Sequence, residues 1–265
     1  MSTYLMEHEK EAERLCLKTD RAVVERQARW AGIGAGMRVL DVGCGAGVTS
    51  AILYDLVQPE GTVLGIDASQ ERIDYAQRYF GQEGVAFECR DFRQELEGIG
   101  EFDFIWVRFV LEYHRTGSSD IVRHLSRLLK PGGVLCLIDL DHNCLNHYGL
   151  SARLERNIQG IMDCLSATAD FDPYMGRRLF SFLFDLGLAD IDVKMTPHHL
   201  IFGELGEVDR YNWWRKLEVA ARRSGWRFAD YKRGFEEFAS EFMDFFSDPR
   251  RFTYTPMVAC RGIRR

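Results

Sequence analysis

Residues 39–50, Val39-Leu40-Asp41-Val42-Gly43-Cys44-Gly45-Ala46-Gly47-Val48-Thr49-Ser50, decide how the rest of the chain is read. A short apolar run, RVLDV at 38–42, has the length and composition of a buried strand. Glycines then stand at every second position, and a helical pattern runs from Val48 to about Gln58. Glycine adopts positive φ and lets another atom approach the backbone where a Cβ would clash. The helix beginning beyond the loop offers free N–H groups and a partial positive charge to an anionic group. The spacing also discriminates between ligands. A dinucleotide fingerprint would continue Gly43 and Gly45 with a third glycine at position 48. Position 48 is valine and the third glycine is Gly47, so the loop reads as a ligand seat that departs from the NAD and FAD pattern.

Strand and helix patterns alternate around this loop. Residues 6–31 carry Leu15, Ala22, Val23, Ala28 and Trp30 among charges, the pattern of one or two amphipathic helices, which Gly32, Gly34 and Gly36 end. After the loop come a strand at 62–68, a helix at 69–80 and strands at 85–91 and 102–111. A helix at 118–130 capped by Ser118 or Ser119, a Pro131-Gly132-Gly133 turn and a strand at 134–141 follow. The rhythm predicts a parallel sheet with helices on both faces. Beyond Asp141 it breaks into two helices over 145–187 parted by Asp172-Pro173, a strand near 191–202, and helices around 207–224 and 230–247. In the last strand, 252–262, Pro256 requires an edge or a bulge.

Composition bounds the function classes. A chain of 265 residues, 46% hydrophobic, can bury one large core, so one compact unit is expected. No stretch approaches the ~18 uninterrupted apolar residues of a membrane span, and MSTYLMEHEKEAERL lacks a signal-peptide core, so a cytoplasmic location is expected. Seven cysteines without a C-x-x-C pair fit neither a disulfide framework nor a metal site, and no metal is expected. Thirty-four basic against 40 acidic residues give a net charge of −6, which offers no field to a phosphate backbone and argues against nucleic acid.

Two further carboxylates end predicted strands. Asp67, at the end of strand 62–68, can accept hydrogen bonds from both hydroxyls of a ribose. Its alternative role, capping the next helix, is already available to Ser69. Asp91 ends the third strand before Phe92, a pairing able to take an exocyclic amine while a ring covers the adenine face. In chain order, the Asp41-x-Gly43-x-Gly45-x-Gly47 loop, Asp67, Asp91-Phe92, FDFIWVRFVLEY and LLKPGGVLCLID resemble the class I S-adenosylmethionine-dependent methyltransferase family. The resemblance covers about residues 36–141, and RFVLEY looks like the branch that methylates quinone precursors and other small molecules. Nothing resembles the Asn-Pro-Pro-Tyr signature of enzymes that methylate base or amide nitrogens.

The resemblance implies a Rossmann-like, doubly wound α/β fold with a mostly parallel seven-stranded sheet, an antiparallel last strand and a helical cap. The chain then divides into an N-terminal helical segment or lid (1–35), a cofactor-binding core (36–141) and substrate-recognition insertions with the last two strands (142–265). It implies S-adenosyl-L-methionine as cofactor and S-adenosyl-L-homocysteine as product. Gly43, Gly45 and Gly47 would contact the methionine part, Asp41 would support the loop or the amino group, Asp67 with Ala68 would hold the ribose, and Asp91 with Phe92 the adenine. Arg108 and Phe109 fall where the family lays carbonyls near the cofactor's ammonium, and Tyr4 falls in a segment that folds over the cofactor.

Methyl transfer from a sulfonium needs the nucleophile held in line, and a base only where the acceptor carries a proton that must leave. His114 and His142, after the fourth and fifth strands, are the candidate bases; Glu112 and Tyr113 beside them are expected to orient substrate. His147, Tyr211, Trp213 and Trp214 are the further acceptor-binding candidates, the aromatic residues as a wall for a flat substrate. The expected reaction is methylation of a small molecule, foremost at oxygen, with nitrogen and carbon left open. The expected partners are that substrate and at most a second copy of the chain. Two alternatives stand beside this: an NAD(P)-dependent oxidoreductase on a Rossmann core, and a methyltransferase-like protein that binds the cofactor without turnover.

Overall fold

The computed structural model describes residues 19–265, and Tyr4 lies outside them. Helix α1 (Arg21–Ala31) starts at Asp20, whose carboxylate accepts the Val23 N–H at 3.2 Å, and stops at Gly32 in the left-handed region. Strand β1 (Arg38–Val42) leads through the glycine loop to α2 (Val48–Val57), β2 (Thr62–Asp67), α3 (Gln70–Phe80) and β3 (Val85–Cys89). Then come β4 (Phe102–Arg108), α4 (Ser118–Arg127) and β5 (Leu129–Leu140). These five strands pair in parallel in the order β3-β2-β1-β4-β5.

Helices cover both faces, so successive side chains of each strand feed two apolar layers. Leu40, Ile105, Val107, Leu135 and Leu137 pack with Ile121, Val122 and Leu125 of α4. Val39, Val63, Phe104 and Trp106 pack with Val24 and Ala28 of α1 and Ile52 and Leu53 of α2.

The second half adds β6 (His147–Tyr148), α5 (Ala152–Thr168), α6 (Leu179–Asp185), β7 (Ala189–Phe202), α7 (Glu207–Ser224), α8 (Phe235–Ser247) and β8 (Phe252–Ile263). Strand β8 is antiparallel to β5 along one side and to β7 along the other. Helix α6 returns to the sheet, where Leu179, Phe182 and Leu183 join the layer of α4. Helices α5, α7 and α8 form a cap with a core of its own, built on Leu154, Ile158, Leu165, Trp213, Phe238, Phe242 and Phe246. No helix among the described residues is long and apolar enough to cross a membrane.

The Rossmann-like α/β expectation holds, and the differences are local. Among the described residues the sheet has eight strands rather than seven, because His147 and Tyr148 pair with Thr253 and Phe252 beyond the end of β5. Helix α4 ends at Arg127, not 130, because Leu129 already pairs with Phe102; Pro131-Gly132-Gly133 is a bulge inside β5, before Phe104 pairs with Val134. Its N-cap is Gly117 rather than Ser118 or Ser119. Pro256 sits in a strand paired on both sides, yet it meets Pro197 at a bulge of β7 and its carbonyl accepts the Asp141 N–H at 2.9 Å where β5 ends. No ladder N–H is required of it there.

Gly47, at φ 88, is locked between α3 and β3: a Cβ on it would lie 2.9 Å from both Ala76 Cβ and Phe87 Cζ. Gly47→Ala therefore adds a clash to a left-handed backbone and is expected to destabilise the fold by about 1–3 kcal/mol, read as a lower urea midpoint at unchanged m-value.

Candidate functional site

The loop after β1 turns through three left-handed glycines, Gly43 (φ 68), Gly45 (φ 55) and Gly47 (φ 88). To the positive φ and the close approach expected of these glycines, the structure adds a packing constraint at two of them. A Cβ on Gly43 would run into Val110 Cγ2, and one on Gly47 into Ala76 and Phe87, so internal packing already excludes a side chain. Cys44, buried in the same loop, packs with Ile73 and Phe87.

Asp67 ends β2 with a buried carboxylate that holds the loop in shape. Its Oδ2 accepts the Gly45 N–H at 3.1 Å and its Oδ1 the Ser69 N–H at 2.9 Å, with Arg72 Nη1 3.5 Å from Oδ1. The capping assigned to Ser69 is corrected: its hydroxyl makes no cap bond, and the carboxylate two residues earlier takes its N–H instead. A carboxylate offers about four acceptor positions, so capacity for further donors remains. Ala68 follows, its carbonyl 3.7 Å from Cys89 Sγ.

Three more expected residues gather at this sheet edge. Asp41, buried at β1, accepts the Ser50 hydroxyl at 2.6 Å; burial pushes it up to about 7, against the pull of Ser50 and Arg108. Arg108, at the end of β4, stacks its guanidinium 4.1 Å over the ring of Phe109, a non-glycine residue at φ 58. Its Nε is buried with no hydrogen-bond partner among the described residues, and burial lowers the group to about 10. Beyond β3, Asp91 grips Arg93 through Nε at 2.7 Å and Nη2 at 2.8 Å, which holds its carboxyl below the usual range. Phe92 is buried with its ring 5.5 Å from that of His114.

A second acidic group lies where β4 and β5 meet the cap. Asp139, wholly buried in β5, accepts the Glu112 N–H and the Leu140 N–H, each at 3.1 Å. It thereby fixes a 3-10 turn, Leu111–Tyr113, at the end of β4. The Glu112 carboxylate, 2% exposed as a residue, accepts Asn143 Nδ2 at 2.9 Å and a hydrogen bond from Tyr113. Burial pushes Glu112 up to about 7, against Asn143 and Lys216, and with Glu112 beside it burial pushes Asp139 up as well. Asn143 is held between two left-handed non-glycine residues, His142 (φ 49) and Cys144 (φ 64). From the cap, Lys216 Nζ lies 3.0 Å from His199 Nε2 and 5.1 Å from the Trp213 ring centre.

The remaining candidates are placed apart. His142, one of the two candidate bases, has Arg177 Nη2 2.9 Å from its Nδ1, Asp141 3.4 Å away and its ring edge-on to Tyr174. His114, lowered from its ordinary value by burial and by Arg93, faces a cleft of about 240 Å³ lined also by Tyr113, Thr116, Asp120 and Asp170. His147, expected to meet substrate, has both ring nitrogens engaged, with Thr253 Oγ1 at 2.8 Å and the Cys144 carbonyl at 3.1 Å. The three aromatic candidates do not form one wall: Trp213 is buried in the cap core, whereas Tyr211 (62% exposed) and Trp214 (37%) face outward on the same helix. Asp139, Asn143 and Lys216 escaped the sequence reading. A lone acid inside the apolar run VLCLIDL was the available signal for the first; nothing marked the other two.

Comparison with known proteins bears on this arrangement. The family model described as a methyltransferase domain matches residues 33–176. The chain belongs to the methyltransferase domain family. A curated relative, the ubiquinone biosynthesis O-methyltransferase of Pseudomonas fluorescens, is 34% identical over 112 residues, 41% of this chain and 47% of the relative. The chain thus spans about half the length of the curated relatives of this kind that it matches. Among solved structures, the YcgJ protein of Bacillus subtilis superposes with a TM-score of 0.60 at 20% identity, covering 93% of this chain and 99% of that one. Phosphoethanolamine N-methyltransferase 2 of Haemonchus contortus, solved with phosphomonomethylethanolamine and S-adenosylhomocysteine, gives 0.55 at 15% identity over 92% and 52%. These two likenesses are likenesses of fold.

Burial depresses His147 from 6.5 to about 4, so the native state holds it neutral while the unfolded chain binds a proton. Its contribution is complete above pH ~6.5 and lost as pH falls toward ~4, on the order of 3 kcal/mol. Denaturant titrations across this window are expected to show the loss in the wild type and a flatter profile in His147→Asn.

Proposed function

We propose that the chain is an S-adenosylmethionine-dependent methyltransferase acting on an oxygen of a small-molecule acceptor, with S-adenosylhomocysteine as the second product. One observation carries this: the buried Asp67 carboxylate clasps the glycine-loop backbone through Gly45 N–H at the C-terminal edge of a parallel sheet, with acceptor capacity left over.

The residues present fit such a cofactor in three respects. Asp67 offers acceptors for a ribose diol, and Asp91 with Phe92 offers a carboxylate and a ring for adenine. The buried Arg108 Nε without a partner, beside Asp41, suits the carboxylate and ammonium of an amino-acid moiety. When bound, the cofactor supplies a methyl group on a sulfonium, open to in-line displacement. The chain's own work is then positional: the left-handed loop and Arg108 fix the donor end, and the cap closes the acceptor side against water. Oxygen as the accepting atom draws its support from the curated relatives named as O-methyltransferases. Valine at 48, where α2 begins, weighs against a dinucleotide, which would call for glycine there.

In titration calorimetry the wild type should bind S-adenosylmethionine saturably, and Asp67→Ala should weaken it by about tenfold or more, 1.4 kcal/mol or above. Unchanged affinity in the variant would remove the ribose assignment. Tight NADH binding without S-adenosylmethionine binding would sink the whole proposal. Radiolabelled methyl transfer to a panel of small phenols, alcohols and amines reads the accepting atom.

A further inference from the structure

The geometry points to Glu112 as the group that receives the proton of a phenolic hydroxyl on the methyl acceptor, in a site where Asn143 and Asp139 orient it and Lys216 faces it from the cap. This inference deepens the methyltransferase reading and rests on it.

Its position comes first. Glu112 follows β4 two residues after Val110, whose side chain abuts Gly43, and Asp139, which pins its N–H, lies within electrostatic reach of Arg108. The carboxyl therefore stands at the edge of the sheet where the glycine loop and Arg108 converge, on the side the cap covers. It is also held there at a cost. Among the described residues, four of the six non-glycine positions at positive φ, Phe109, His142, Cys144 and Asp170, lie in the three segments that surround it. His142 and Cys144 flank the asparagine whose amide it accepts, and the Asp172 N–H, two residues past Asp170, donates to its carbonyl at 2.7 Å. Strained backbone of this kind, concentrated on one side chain, marks a constraint beyond folding.

Its surroundings select the acceptor. The Tyr113 hydroxyl bonds to the carboxylate, so the site already accommodates one phenolic O–H. The cap beside it leaves a small void of about 30 Å³ between Cys144, Trp213, Lys216 and Phe242, whose walls from Ile158 and Met162 are apolar and offer a sugar's hydroxyls no partners. The charged and titratable groups that face Glu112 are Asp139 from β5, Asp172 from the loop before α6, Tyr113 from its own turn and Lys216 from α7. The Lys216 ammonium would repel a cationic amine acceptor and steady an oxyanion. Burial, with Asp172 adding to it, lifts Glu112 to about 7, the range in which a carboxylate serves as a base at neutral pH. Of the two histidines, His142 is engaged by Arg177, and His114, packed edge-on against Phe92, opens on the cleft lined by Thr116, Asp120 and Asp170.

The step balances simply. The acceptor O–H bond breaks and its proton goes to a Glu112 carboxylate oxygen. The freed oxygen pair forms the bond to the methyl carbon of a sulfonium donor, whose carbon–sulfur pair stays on sulfur as a thioether. The proton leaves Glu112 for solvent when the product departs.

The test reads ionisation rather than turnover. Full-length protein is titrated with 4-nitrophenol at a pH below that chromophore's own ionisation, and the phenolate absorption band of the bound form is recorded. Wild type should develop the band, and Glu112→Gln, which keeps an acceptor for Asn143, should reduce it by about tenfold or more, the change that one unit of pKa makes. Thermal unfolding and S-adenosylmethionine titration of the variant establish that it is folded. An undiminished band in folded Glu112→Gln overturns the inference, as does a wild type that binds the cofactor but takes the chromophore only as the neutral phenol or not at all. Failure of the wild type to bind S-adenosylmethionine overturns the functional reading itself.

Discussion

Everything in the site hangs on one backbone constraint: the chain must leave the central strand β1 and turn at once into α2 through three left-handed residues within five. Only glycine meets that conformation without strain, and at Gly43 and Gly47 the neighbours leave no room for a Cβ in any case. The turn in turn fixes which backbone N–H points at Asp67, and that bond ties β2 to the loop. Sheet order, helix placement and ligand geometry are thus one problem rather than three, since α3, β3 and the segment after β4 all close on the same few atoms.

A second buried carboxylate performs the matching task on the other half of the sheet edge. Asp139 stands in a strand covered on both faces, a place where an unpaired charge would cost several kcal/mol, and it is tolerated because backbone N–H groups surround it. What it holds in place is the turn that carries Glu112 and Tyr113. The two acids therefore divide the edge: Asp67 shapes the side of the glycine loop and Asp139 the side of the cap.

The first half of this architecture is legible in the sequence because its signals are local. The glycine spacing, the aspartates at strand ends and the alternation of apolar strands with amphipathic helices each depend on residues close in the chain. The cap side is set by contacts between distant segments, and periodicity says nothing of these. Lys216 on α7 comes to face Glu112 only through the packing of α5, α7 and α8. Trp213 and Trp214 show the limit well: neighbours on a helix point about 100° apart, so burying one turns the other outward. The partners of His147 are hidden for a similar reason, since nothing local marks the short pairing of β6 with β8 that brings the hydroxyl of Thr253 to its ring. Ser69 and Ser118 show that residue type suggests a cap without deciding which oxygen supplies it.

The facing prolines of β7 and β8 bear on how the molecule behaves in a crowded solution. Among the described residues β7 pairs only with β8, so its other side is an open ladder of fourteen residues, with Val193, Met195, Leu200 and Phe202 exposed along it. Such a strand invites another chain to zip onto it. Pro197 offers no N–H at its midpoint, and the bulge between Pro197 and His199 throws the two halves out of register. An incoming strand can match either half but not both, so the residue that accommodates the inner partner also keeps the outer edge from growing into an aggregate.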